Sequence, residues 1–184
     1  MRLIVTTKNL FLCLILFLIF CSCEDRIKAV NKSNLATFTP SGEADFLALK
    51  YTDSGRITAV LAAKQMRDFA TVKHAFTEFP KGIDLTLYDK KGKRTFITAQ
   101  YAVSYKGSDL IDLRKNVVIR SEENQRLETE QLFFDQKNGW FFTEKPFLFT
   151  DPNGGTTRGT GIDFNKDFKR INYQQVRGQI NKAE

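Results

Sequence analysis

The chain has 184 residues, of which 42% are hydrophobic and 27% charged, and its formal net charge is +7. That is enough chain for one domain with a single core. A single histidine argues against a catalytic triad, and no Lys/Arg run is long enough for a nucleic-acid binder.

The chain opens like an export signal. Arg2 and Lys8 are basic with no acid beside them, and residues 10–20 are unbroken apolar. Such a run suits a signal core and is short of the roughly 20 residues a membrane span needs. Ser22 and Cys23 follow. A small residue before a cysteine resembles a bacterial lipobox, in which the cysteine is lipidated and becomes the new N-terminus. Cys21 fits less well because bulky Phe20 would stand at the scissile position; Phe20 also replaces the usual Leu three places before Cys23. The competing reading is an uncleaved anchor ending near Cys23. On the lipobox reading, residues 1–22 are a lipoprotein signal peptide that removes Cys13 and Cys21, and Cys23 becomes a thioether. The mature chain then has no thiol to mispair in an oxidising periplasm and none for catalysis. Its balance is 26 basic against 21 acidic residues. That mild excess suits an anionic headgroup or membrane surface.

Residues 23–43 are polar with little periodicity and read as a lipidated N-terminus and flexible tether. The domain is expected over 44–184. "ADFLALKY" (44–51), "TDSG" (52–55) and "RITAVLAA" (56–63) form a hairpin pattern. "IDLTLYD" (83–89) alternates, with Ile83, Leu85 and Leu87 on one face. "KKGKR" (90–94) turns the chain and "TFITAQYAVSY" (95–105) returns it. "KGSD", "DQKNG" and "DPNGG" are turns of the Gly/Asn/Asp kind. Seventeen Phe and only four Pro favour strands throughout.

A weak repeat runs through these strands. Its pattern is apolar-x-small-x-x-apolar: Ile97-x-Ala99-x-x-Ala102, Leu127-x-Thr129-x-x-Leu132 and, loosely, Thr157-x-Gly159-x-x-Ile162. The copies are 30 residues apart, and a looser one, Leu61-x-Ala63-x-x-Met66, precedes them. Alternation in a strand has period two. Here the apolar phase slips by one after the small residue, so Leu127 and Leu132 share a face only if the strand bulges or turns a corner between them. Such bends at regular intervals fold a long antiparallel meander into two facing sheets. Ala99, Thr129 and Gly159 would stand near the bends, where backbones approach closely. The fold class is therefore all-β, either an ordinary sandwich with a dry core or an open, stackable sheet whose ends are not closed.

Other constellations carry little chemistry. His74 is alone. "DPNGG" lacks the ligand spacing of an EF-hand and reads as a turn. Asp109 and Asp112 read as a solvated strand end, not a glycosidase pair. Trp140, Phe141 and Phe142 are consecutive and cannot all face one side. No catalytic residue, metal site or cofactor is expected.

Residues 109–180 resemble the LptC family, most specifically at Leu113-x-x-Asn116-Val117, "LETEQLFFD" (127–135) and "GTGIDFNKDFKRINYQQVRGQI" (159–180). The resemblance extends more loosely to "FLALKYTDSGRITAVLAAKQM" (46–66) and so covers most of the mature chain. It departs at Lys115, where the family often has Gly, and in the anchor, where familiar relatives keep a transmembrane helix. It implies a twisted, boat-shaped, open β-jellyroll that receives lipopolysaccharide from an inner-membrane ABC transporter. It implies delivery to a periplasmic bridge of LptA-like domains, by edge-to-edge strand pairing. The expected location is the periplasmic face of the inner membrane of a Gram-negative bacterium, held by lipid on Cys23, with Glu24 and Asp25 favouring retention there.

Strand parity and the family pattern together nominate the lipid-facing positions as Ile97, Ala99, Leu113, Val117, Ile119, Leu127, Leu132, Phe134, Phe147 and Phe149. The alternative function is a structural or interaction lipoprotein with a dry sandwich core that binds a protein or glycan. An enzyme acting on lipid or glycan is a more distant reading.

Overall fold

A computed structural model describes residues 39–176. The expected signal segment, Cys23, the tether as far as residue 38 and the chain beyond Val176 lie outside the described residues.

All regular structure described is strand: β1 (Gly42–Asp53), β2 (Arg56–Phe69), β3 (Phe76–Phe79), β4 (Ile83–Tyr88), β5 (Arg94–Ala99), β6 (Tyr101–Tyr105), β7 (Leu110–Ser121), β8 (Arg126–Asp135), β9 (Trp140–Thr150), β10 (Thr156–Asn165) and β11 (Ile171–Val176). The hydrogen-bonded order is β11-β10-β9-β8-β7-β5-β4-β2-β3-β6, with β1 also on β2 and β6 also on β7. This order hides a simpler path. β4 and β3 lie end to end along β2, and β6 and β5 lie end to end along β7. Each of these pairs is one strand interrupted at a corner. Taken so, the sheet is an antiparallel meander in chain order, with β1 at one edge and β11 at the other. Among the described residues neither edge has a second neighbour.

The corners fall where the apolar phase slips. The register of β8 shifts between Thr129 and Phe133, and that of β10 between Thr160 and Ile162, at Gly161 with φ +78°. The β5–β6 path breaks at Gln100, whose N–H donates to the Lys115 carbonyl at 3.0 Å. β7 shifts between Arg114 and Val117, where Lys115 and Asn116 both have positive φ. Lys115 thus adopts the left-handed backbone that a Gly takes freely, at a steric cost of about 1 kcal/mol. The small residues beside the corners have local reasons. A Cβ on Gly159 would stand 2.4 Å from the Gln175 carbonyl oxygen and 2.9 Å from the Phe147 ring. Thr129 Oγ1 donates to the Pro146 carbonyl at 2.9 Å, tying the bulged stretch to β9.

Aligned corners fold the meander into two facing layers. Phe141 and Phe149 lie eight positions apart on β9, about 26 Å on a straight strand. Yet they are joined through Phe164 and Phe168 by ring steps of 5.2, 4.8 and 6.2 Å. Only a strand doubled back on itself allows that. The first layer holds β3, β6, the second half of β8 and the first half of β9. The second holds β4, β5 and the complementary halves. Their inward faces make the apolar interior.

Candidate functional site

The ten positions expected to face lipid all lie in one buried interior cluster, and none is more than 7% exposed. They do not share one environment. Phe134 is on the wall of a cavity of about 390 Å³ between the layers. Ala99 borders a shallow cleft at the corner beside Gly82 and Gln100, and Val117 and Phe147 border another beside Thr129 and Pro146. Ile97, Leu113, Ile119, Leu127 and Leu132 are packed at 0–1% exposure, and Phe149 stacks on Phe168.

The cavity is built mainly by the N-terminal strands. Leu61, Met66, Phe79, Ile83, Leu85, Leu87 and Ile111 supply its walls, and Tyr51, Thr58, Thr77, Ser104, Gln136 and Lys166 supply polar groups toward the strand ends. Alternation explains the division: successive inward residues of one strand run from the apolar corner toward a polar turn. The volume falls within the range of about 300–1,000 Å³ typical of small-molecule sites. Beside Thr77, the Asp68 carboxylate accepts hydrogen bonds from Thr77 Oγ1 at 2.8 Å and Lys106 Nζ at 2.9 Å. The Lys106 hydrogen bond is the largest cause holding the Asp68 pKa below its ordinary value of 3.8; burial opposes it and Thr77 assists it.

The C-terminal strands fill the same interlayer space with rings. Phe134 stacks on Phe141 at 4.4 Å, Phe141 on Phe164 at 5.2 Å and Phe164 on Phe168 at 4.8 Å. Phe168 comes from the turn between β10 and β11, with φ +55°, and reaches Phe149 in the opposite layer. Tyr173 covers Phe147 and Phe149 from β11.

Several of these residues were not among the nominated ten. Phe141 and Phe164 were within reach of the 30-residue repeat, because they stand 30 positions after Ile111 and Phe134. Phe168 and Lys166 lie in a turn and carry no periodic signal. Of the consecutive aromatics, Phe141 faces inward. Phe142 faces out and stacks on Phe133 at 5.2 Å, and Trp140 lies under the Arg170 guanidinium at 5.5 Å.

Asp112 departs from the solvated position expected for it. It is 1% exposed, because its carboxylate accepts from Arg114 Nε at 2.9 Å and Gln131 Nε2 at 2.9 Å on the outer face of the sheet. Asp109 is exposed in the turn before β7, as is His74 in the turn after β2. In "DPNGG", Asp151 Oδ1 accepts from the Asn153 and Gly155 N–H groups at 2.8 and 2.9 Å, which closes the turn. Among the described residues no group of three or more His, Cys, Asp or Glu is arranged to hold a metal ion. Nor is any helix among them long and apolar enough to cross a membrane.

The chain matches the family described as lipopolysaccharide-assembly, LptC-related, over residues 10–181. No curated protein matches it. Members of that family take part in lipopolysaccharide export, associated with the inner membrane and facing the periplasm. With nearly the whole chain matched, and with its eleven antiparallel strands forming a β-jellyroll of this type, the chain belongs to the LptC family.

Proposed function

We propose that this chain is a membrane-tethered carrier in lipopolysaccharide export. It accepts the lipid from the inner-membrane ABC transporter into its apolar interior and passes it to a periplasmic LptA-like bridge. The observation that carries this reading is the apolar cavity between the layers, with its polar groups gathered toward one side. A multi-acyl lipid cannot cross water at an acceptable cost, since each CH₂ withdrawn from water is worth about 0.8 kcal/mol. Apolar walls hold acyl chains while polar groups at the mouth meet the sugars.

The edges of β1 and β11, unpaired among the described residues, support the handover. An unpaired strand edge is a template for another chain, and a partner of the same fold satisfies it by continuing the sheet. Lipidated Cys23 holds the domain at the membrane. The relay uses no catalytic residue, and its energy comes from the ATPase upstream.

The tight ring packing between β8 and β11 favours one other reading, an interaction lipoprotein with a dry core. Photo-crosslinking in cells separates the two. The probe is placed at Phe134, with a control at Lys91 in the exposed turn after β4. A lipopolysaccharide adduct at Phe134 and none at Lys91 is the expected result. No adduct at Phe134 or at the other nine nominated positions would transfer the case to the dry-core reading. In the same assay Phe134→Arg should abolish lipid capture while leaving membrane attachment intact; normal capture by that variant would remove Phe134 from the lipid path.

A further inference from the structure

A second cavity, of about 320 Å³, lies among the turns that follow β4, β7 and β10, and it shares Leu87 and Lys166 with the apolar cavity. Among the described residues Lys166 is the only charged one on the apolar cavity's wall. Its position is fixed from both layers. Its N–H donates to the Gly139 carbonyl at 2.9 Å, and its carbonyl accepts from Oγ1 of buried Thr95 at 3.3 Å. Its stem lies over Gly139: a Cβ added there would stand 3.3 Å from Lys166 Cδ. Of the other cations on the second cavity's wall, Lys93, Arg94 and Lys169 are engaged by Glu123, Glu122 and Asp167, and Lys91 lines that cavity but not the apolar one. Lys166 has no carboxylate within 4.0 Å among the described residues. An uncompensated ammonium at the rim of an apolar cavity is placed to meet an anionic group whose hydrocarbon lies inside.

We propose that Lys166 is a specificity-determining residue of the interior, binding a phosphate group on the lipid whose chain occupies the apolar cavity. The proposal rests on the carrier reading above and adds to it a recognised headgroup class. Its test compares the full-length chain's equilibrium affinity for lipopolysaccharide and for the same lipid stripped of its phosphates. The expected preference of the natural protein for the phosphorylated form is about fivefold, the upper end for one exposed ion pair. Lys166→Met should bind both lipids equally, with the affinity the natural protein has for the stripped one, and Lys166→Arg should restore the preference. Inorganic phosphate, which has no chain to bury, should not compete at millimolar concentration; competition by it would make this a free-phosphate site and overturn the lipid assignment. A Lys166→Met variant that keeps the full preference overturns the role of Lys166 and leaves the carrier reading standing. Failure of the natural protein to bind either lipid overturns both.

Discussion

One row of inward residues crosses the first layer from end to end: Asp68, Thr77, Ser104, Ile111, Phe134, Phe141, Phe164 and Ile171, each paired with the next. Its two halves differ. In the N-terminal half Thr77, Ser104 and Ile111 border the cavity; in the C-terminal half Phe134, Phe141 and Phe164 are a stack of rings, of which Phe134 meets the cavity. The backbone is the same meander in both. The side chains alone decide that one end is open and the other filled. The open end can take an apolar guest without rearrangement, whereas the ring ladder must part before anything passes through it.

The largest expected effect follows from that contrast. Phe164→Ala removes the middle of the ladder and should destabilise the fold by about 3–5 kcal/mol, the usual cost of deleting a buried ring. Met66→Ala, on a wall that already borders free space, should cost only about 1–2 kcal/mol. Denaturant titration of both variants measures the difference, and equal losses would break the distinction between the halves.

Ser104→Phe sharpens it from the other side. Ser104 stands 30 positions before Phe134, in the same row and one strand beyond Ile111. A ring there should enter the cavity, stabilise the fold by about 1 kcal/mol through new burial, and reduce lipid capture. A destabilised variant with undiminished capture would mean that the space is not the lipid's.

Much of this architecture was legible in the residues because its causes are local. Alternation marks strands, and a one-residue slip between Leu127 and Leu132 demands a corner whatever the rest of the chain does. Parity also tells which side of a strand is inward, so Ile97 and Leu113 could be named as interior. It does not tell which interior residue borders open space, because that depends on what the opposite layer brings to the same place. Ser104 and Phe134 have the same parity and the same place in the repeat and both border the cavity; one leaves space there and the other stacks a ring on Phe141. Turn residues escape the argument altogether. Phe168 and Lys166 reach the interior by a turn geometry that no period encodes. Asp112 was misread because its burial comes from Arg114 and Gln131, which lie across the outer face.

A smaller effect belongs to the corner that both halves share. Lys115→Gly should stabilise the fold by about 0.5–1 kcal/mol, since Gly relieves the left-handed strain at φ +64° and gives back part of that gain in unfolded-state entropy. A destabilised variant would show that the Lys115 side chain, 5.9 Å from the Tyr101 ring, matters more than its backbone.

The smallest effect is electrostatic and confined to the open half. The folded-state pKa of Asp68 lies below its ordinary value of 3.8. Its contribution to stability is therefore fully present above that value and is lost as the pH falls through the folded-state pKa. The partners are partly exposed, so the loss is about 0.5 kcal/mol. Asp68→Asn should unfold with a shallower acid dependence than the natural protein. The ladder contains no titratable group between Phe134 and Phe164, so acid should lower the amide protection factors of Thr77 and Ser104 before it lowers that of Phe141. Simultaneous exchange at all three would mean that the two halves open as one unit, and that the filled end holds the open end shut.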